Sequence, residues 1–296
     1  MRTVVGVLRG GPSREYEVSL KTGASILNAL DKDKYDQRDI FISRDGQWHL
    51  HGVAMNPERA LHGVDVAFNA MHGEYGEDGS VQKLLDSLAV PYTGSDARSS
   101  AVAFNKHRTR EAVKTFGVKI VHGKVVDNSR DVEELAHELF RSFPHPAIVK
   151  PVSGGSSIGI ATAEHFHGLV WALEQAFKIS PSVLIEEYIK GRDATVGVID
   201  NFRNEKTYTT IPVPATFTDQ EKNILAAAAR AVHEGLGLSH YSRSDFIVSR
   251  RGVYFLEVNT LPGLTEESLL PKALAAGGTS LSQFLNHVIS LARNKI

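Results

Sequence analysis

The chain has 296 residues, enough at roughly 100–200 residues per domain for one large domain or two to three modest ones. With 42% hydrophobic and 23% charged residues it has a globular composition, which excludes disorder as its main state. Lys plus Arg (33) against Asp plus Glu (34) gives a net charge of −1, so nothing global draws it to nucleic acid or an anionic membrane; zero cysteines exclude disulfides, thiolate metal sites and a cysteine nucleophile.

The first apolar run, Val4 to Leu8, stops at Arg9-Gly10-Gly11 and is too short for a signal-peptide core. It reads as a buried strand, Thr3–Leu8. No apolar run approaches the ~20 residues a membrane helix needs, which reads as a soluble chain, and the lack of cysteine fits a cytoplasmic enzyme. A Gly-Gly-Pro-Ser turn leads to a helix over Val18–Leu30, whose Val18, Ile26, Leu27 and Leu30 share a face. The runs Asp39–Ser43 and Asp65–Met71 and a helix over Val81–Leu88 continue the alternation, which implies a mostly parallel, helix-covered sheet. The texture changes past Val90-Pro91-Tyr92-Thr93-Gly94, placing a domain boundary near residue 95.

Beyond it the pattern gives one helical stretch, Ala97–Phe116, closed by Gly117, then a helix over Asp131–Phe143 and a strand over Ala147–Lys150. A strand Ile158–Thr162, a helix Glu164–Phe177 and short strands Val183–Glu187, Thr195–Ile199 and Thr207–Pro212 follow. The capping box of Thr218 and Glu221 opens the next helix; two strands, a loop and a helix opened by Ser280 and Gln283 end the chain.

Three segments carry chemistry. The loop Ser153-Gly154-Gly155-Ser156-Ser157 offers close backbone approach and hydroxyl donors, but matches neither G-x-x-x-x-G-K-[ST] nor G-x-G-x-x-G. It is a plain hairpin loop or a phosphate cradle, and Lys150 just before it tilts toward phosphate. Second, a three-residue loop Arg250-Arg251-Gly252 closing on Ser249 and Val253 sets Asp245 opposite Glu257 and Arg243 opposite Asn259. Period two puts Glu257 and Asn259 on one face with Val253 and Phe255. Two carboxylates and an amide oxygen there call for a hard cation, magnesium being the natural one, unless the cluster is merely salt-bridged across the strands. Third, His72-Gly73-Glu74-Tyr75-Gly76-Glu77-Asp78-Gly79 lies where open parallel sheets place ligands. Its acids also suit a helix cap, which explains Asp78 best. His62, His107, His137 and His287 show no metal-ligand spacing.

In order, these segments resemble the D-alanine:D-alanine ligase family of the ATP-grasp superfamily over nearly the whole chain. The likeness rests on Gly10-Gly11-Pro12-Ser13-Arg14-Glu15-Tyr16-Glu17-Val18-Ser19-Leu20, on His72 to Gly79 with Pro91-Tyr92-Thr93-Gly94-Ser95, on Lys150-Pro151 with Gly155-Ser156-Ser157-Ile158-Gly159, on Glu186 to Gly191 and on Leu256 to Gly263. It implies an α/β fold, α+β in its C-terminal part. A Rossmann-like pre-ATP-grasp domain (1–95) precedes central (96–183) and C-terminal (184–296) ATP-grasp subdomains. The implied activity is ATP-dependent ligation of two D-alanine molecules through an acyl phosphate, for peptidoglycan. Alternatives are a ligase joining D-alanine to D-lactate or another amino acid, and a degenerate ATP-binding homologue.

The resemblance assigns Lys106 and Lys150 to the phosphates of ATP, with Ser156 and Ser157 in the loop, Glu186, Glu187, Tyr188 and Ile189 to the adenine edge, and Asp193 to the ribose. Asp245, Glu257 and Asn259 match magnesium ligands, for two ions, with manganese able to substitute. Glu15, supported by Ser156, matches the residue holding the first ammonium. Arg243 and the Gly263 backbone match oxyanion donors; Ser268 and Leu269 match the cradle for the second carboxylate, with His72 nearby. No nucleic-acid or membrane partner is implied, and a homodimer is frequent in the family. Two departures stand out. Asp193 replaces the usual Glu, and after Ile211-Pro212-Val213-Pro214-Ala215 the chain passes straight to the helix at Thr218, where the family carries a long lid loop with a Tyr and a Lys. Tyr75 and Tyr16 are the nearest substitutes for that lid on sequence grounds.

Overall fold

In a computed structural model, which describes residues 2–154, 159–214 and 216–294, the first strand is the hub of the N-terminal sheet. β1 (Thr3–Gly10) lies between β2 (Tyr35–Ile42) and β5 (Val66–Asn69), parallel to both; β3 (Trp48–Leu50) and β4 (Val53–Met55) add an antiparallel edge, for the order β4-β3-β2-β1-β5. α1 (Tyr16–Ala29) joins β1 to β2, while α2 (Pro57–Leu61) precedes β5 and α3 (Ser80–Ser87) follows it. Strand order thus reverses about β1. The loops leaving β1 and β5 open side by side at the carboxyl edge, the place where such sheets bind ligands. β3, β4 and α2 are absent from the sequence reading, because three to five residues are too few to display a period.

Two antiparallel sheets make up the rest. One has the order β6-β9-β7-β8, from β6 (Gly123–Asp127), β7 (Ala147–Pro151), β8 (Ala161–Ala163) and β9 (Ser182–Glu187). α6 (Val132–Ser142) and α7 (Phe166–Phe177) cover it through Leu135, Leu139, Leu169 and Leu173 packed with Val149, Val183 and Ile185. β9 pairs along its full length with β6 and β7, so a junction at 183/184 would cut a strand; the sheet places it after Glu187. The other sheet, β11-β10-β12-β13, contains β10 (Arg192–Phe202), β11 (Glu205–Thr209), β12 (Tyr241–Ser249) and β13 (Gly252–Asn259). α8 (Asp219–Gly235), opened by the expected capping box, buries Leu225, Ala229 and Val232 with Val196, Val198, Phe246 and Phe255. α9 (Leu269–Ala276) and α10 (Leu281–Arg293) return to the first sheet, where Phe284, Leu285 and Val288 share a core with Val5, Val7 and Phe68.

Two corrections bear on the site. The stretch 97–116 is not one helix: α4 (Ala97–Phe104) stops and α5 (Lys106–Thr115) starts at Asn105, whose Oδ1 accepts from the Arg108 N–H at 3.0 Å. An asparagine cap competes with helix continuation, and here it sets Lys106 at the first position of α5. The hairpin also differs from its expected register. Ser249 pairs with Gly252 rather than Val253, leaving a two-residue turn, and a bulge at Leu256 then restores the Asp245↔Glu257 and Arg243↔Asn259 pairings. The bulge reverses the facing of the strand. Val253 and Phe255 pack toward α8, while Glu257 and Asn259 face the opposite side, so these four do not share a face.

Candidate active site

Two cavities of about 430 and 380 Å³ meet at Asp245, Glu257 and Leu269, which line both. The larger is polar and lies between the carboxyl edge of the N-terminal sheet and the β12–β13 hairpin. Glu15, His72, Lys106, Arg243, Asn259, Gly263 and Ser268 complete its expected lining. Glu15 sits at the N-cap position of α1, and His72 leaves β5 two residues beyond a buried Ala70. Burial, and then the nearby Arg243 charge, hold the His72 imidazole down at about 4, so it is neutral at pH 7. Its Nε2 lies 2.9 Å from Thr22 Oγ1, and its backbone N–H donates to Ser19 Oγ at 2.9 Å.

On the hairpin, Asp245 Oδ1 accepts from Thr195 Oγ1 at 2.7 Å and Oδ2 from Arg243 Nη2 at 2.8 Å. Burial pushes the Asp245 carboxyl up, against the pull of Arg243. Lys106 Nζ stands 3.8 Å from Glu257 Oε2 and donates to the Gly154 carbonyl. Asn259 Oδ1 accepts from the Leu261 N–H at 2.8 Å. A Cβ on Gly263 would lie 2.8 Å from Ser268 Oγ, so any larger residue would push that hydroxyl from its place.

The smaller cavity is a slot between the two antiparallel sheets. Val121, Ile148, Ile160, Ile189, Phe246 and Leu256 supply its apolar walls, and Glu187, Tyr188 and Asp193 stand with them. Its buried acid is already paired: Glu186 takes Lys150 on one oxygen and Arg110 of α5 on the other. Burial pushes the Lys150 ammonium below the usual lysine range, with Glu257 acting the other way.

All the sequence-predicted site residues that the structure describes therefore line one cavity or the other; Ser156 and Ser157 lie outside the described residues. Neither lid substitute does. Tyr75 hydroxyl takes the Trp48 indole N–H at 3.3 Å, and Tyr16 stacks edge-on against Phe41 beneath Arg44. The sequence reading missed Arg110, Thr195 and Glu77. Arg110 and Thr195 reach their acids across fifty residues or more, which no local pattern records. Glu77 was readable only as a helix-capping acid, yet Asp78 takes the Ser80 N–H and Glu77 lines the polar cavity.

Among the described residues no group of three His, Cys, Asp or Glu side chains is placed to hold a metal ion. The candidate set is instead two carboxylates and one amide oxygen: Asp245, Glu257 and Asn259. These hard oxygen donors fit a magnesium-like cation, and Asp245, a partly buried carboxyl cross-strand from a second one, is the anion such a cation would compensate.

Two antiparallel sheets facing each other across a slot, behind a parallel N-terminal sheet, are the architecture of ATP-grasp ligases. Family profiles described as D-ala D-ala ligase N-terminus and C-terminus match residues 4–59 and 51–95, and 112–210 and 201–290. A D-alanine–D-alanine ligase of Geobacter sulfurreducens is 37% identical, over 99% of this chain and 95% of that one. The solved D-alanine-D-alanine ligase of Coxiella burnetii superposes with a TM-score of 0.88 at 26% identity, covering 99% of this chain and 94% of the other. The VanG D-Ala:D-Ser ligase of Enterococcus faecalis gives 0.86 at 26%, covering 99% and 100%. The chain belongs to the D-alanine–D-alanine ligase family and is a ligase enzyme; the family uses ATP and a divalent metal ion.

Proposed function

We propose that the protein joins two D-alanine molecules at the expense of ATP, supplying the dipeptide for peptidoglycan. The observation that carries this reading is the meeting of the two cavities at Asp245 and Glu257: a flat apolar slot suited to a nucleotide base opens onto a polar chamber suited to amino acids. The base lies between the slot walls, beside Glu186 to Ile189, with the ribose near Asp193. Lys106 and Lys150 reach the phosphates, and the resemblance assigns Ser156 and Ser157 to them as well. Asp245, Glu257 and Asn259 hold magnesium, two ions or manganese in their place, which supplies charge compensation for the phosphoryl oxygens.

A carboxylate is a poor electrophile, so the terminal phosphoryl group passes to the first D-alanine and gives an acyl phosphate. Glu15, with Ser156, holds that substrate's ammonium. Ser268 and Leu269 cradle the second carboxylate, with neutral His72 beside it. Arg243 and the Gly263 backbone then stabilise the oxyanion formed when the second amine attacks. A second reading, another second substrate, is favoured by one observation: the D-Ala:D-Ser ligase superposes almost as well as a D-Ala-D-Ala ligase. Incubation with ATP, magnesium and D-alanine, alone or with D-serine or D-lactate, and identification of the product separate the readings. ATP binding with neither phosphate release nor product would indicate a degenerate homologue. The resemblance alone supports a cytoplasmic location and a homodimer; light scattering on the eluting protein tests the latter. Among the described residues no helix is long and apolar enough to cross a membrane.

A further inference from the structure

Glu77 has no part in the scheme above. It lies in the loop after β5, and its side chain turns back so that Oε2 accepts from the Gly73 N–H at 2.8 Å, while its own N–H donates to the Gly73 carbonyl at 2.9 Å. Gly73 has φ +75°, and a Cβ built on it would lie 3.0 Å from Glu15 Oε2. One glycine thus brings two carboxylates together, Glu15 from the start of α1 and Glu77 from its own loop, and both line the polar cavity. Glu77 is only 7% exposed. The charges that act on it come from every side of the chamber: Glu15 and Glu257 repel it, and Arg243 on β12 attracts it, while His72 is neutral. Two acids buried together beside a single arginine make a site for a cation, and an amino acid's ammonium is the cation this chamber receives.

We propose that Glu77 binds the ammonium of the second amino acid and accepts the proton that it must lose before attack. The inference rests on the ligation reading. One N–H bond of the ammonium breaks, its electron pair stays on nitrogen and the proton moves to the Glu77 carboxylate. The nitrogen pair forms the C–N bond, the bond from the acyl carbon to the phosphate oxygen breaks, and the departing phosphate carries away that electron pair and the second N–H proton. Glu77 then returns its proton to solvent. Burial first, and then Glu15, push the Glu77 carboxyl up to about 8 in the empty chamber, close to the range of an α-amino group; the arriving ammonium offsets both effects, so that Glu77 meets it as a carboxylate and the proton passes between groups of similar affinity.

Glu77→Gln tests the charge while keeping the loop, since the amide oxygen still accepts from Gly73. With ATP, magnesium and saturating D-alanine, dipeptide formation should fall about a hundredfold, the scale of a lost general base. Trapping of the acyl phosphate by hydroxylamine, a nucleophile neutral at pH 7, should be unchanged. The wild-type acidic limb in the pH profile of kcat should vanish, and Glu77→Asp should restore part of the dipeptide rate. Equal loss of hydroxamate and dipeptide would mean a structural or first-substrate role and overturn the proposal, as would an undiminished dipeptide rate. If Glu77→Gln does not fold, the Asp variant decides: a selective fall in dipeptide supports the assignment and a parallel fall overturns it. A wild-type enzyme that makes hydroxamate but no dipeptide from D-alanine or any other amino acid would overturn the ligation reading itself.

Discussion

The two cavities handle charge in opposite ways. In the slot, the acids beside the base site are neutralised before anything binds, Glu186 between Lys150 and Arg110 and Glu187 by Arg251, and the other walls are mostly aliphatic and aromatic. In the chamber, Glu15, Asp245 and Glu257, joined by Glu77 once it ionises, face the smaller positive charge of Lys106 and Arg243, so an excess of negative charge awaits cations. A buried charge is tolerated only when compensated. The slot compensates its own and binds by apolar contact and shape; the chamber leaves compensation to metal and ammonium groups, whose arrival organises the reaction.

The strongest way to break this contrast is to alter a residue in both walls. Glu257→Gln removes a carboxylate where the cavities meet and should lower turnover on the order of a hundredfold or more, with the thermal midpoint little changed. Turnover measured across a magnesium titration checks it; unchanged activity at limiting magnesium would remove Glu257 from the metal site. Next in size is a pair of variants that should separate the cavities. Lys150→Ala takes a charge-assisted contact from the phosphates and should raise the KM for ATP about tenfold or more. Glu15→Gln should raise the KM for D-alanine and leave that for ATP unaltered. Opposite selectivity in steady-state kinetics would mean that the nucleotide and amino-acid sites are exchanged.

A smaller effect sharpens the contrast through stability. The Glu77 carboxyl is pushed up to about 8 from its ordinary 4.5, so between those values the folded apoprotein binds a proton that the unfolded chain does not. Stability contributed by this group is full below pH 4.5 and is lost as pH rises toward 8. Glu77→Gln lacks that loss, so its thermal midpoint relative to wild type should climb from pH 5 to pH 8 in the absence of ligands. A difference independent of pH would show that the chamber already compensates Glu77.

The hairpin shows how far local pattern carries. Alternation along β12 and β13 was enough to pair Asp245 with Glu257, yet the turn and the face were both misread, because a bulge adds a residue without disturbing the polar and apolar lettering on either side. The parallel strands β1, β2 and β5 were legible as apolar runs between turn signals. β6 was not: Gly123–Asp127 alternates weakly and depends on β9, some sixty residues later, for its partner. Of the site, the acids and lysines were legible because they stand in dense polar clusters. Arg110 was not, since on α5 it is one basic residue among several and only the folded chain shows that it alone turns inward to Glu186. The lid question was posed by sequence and needed the structure to show what the short segment does.

That segment bears on the smallest effect, the coupling of ATP use to ligation. In the loop 210–218, Val213 bridges to Thr195 by two backbone hydrogen bonds of 3.0 Å, and Phe217 is buried in the core beneath α8. The loop is therefore tied to the edge of β10, and it contributes no lining residue to either cavity among those described. Tyr75 and Tyr16 are engaged elsewhere, and Val18 and Leu269 at the cavity walls remain more than a third exposed. Water thus has access to the chamber in which an acyl phosphate would form, and hydrolysis competes with the second amine. The ratio of dipeptide formed to ATP consumed should fall below one, and fall further as D-alanine is made limiting, because the amine loses ground while water does not. Loosened selectivity among second amino acids should accompany it. A ratio of one at low D-alanine, with strict selectivity, would show that substrates draw the three sheets together and seal the chamber without a lid.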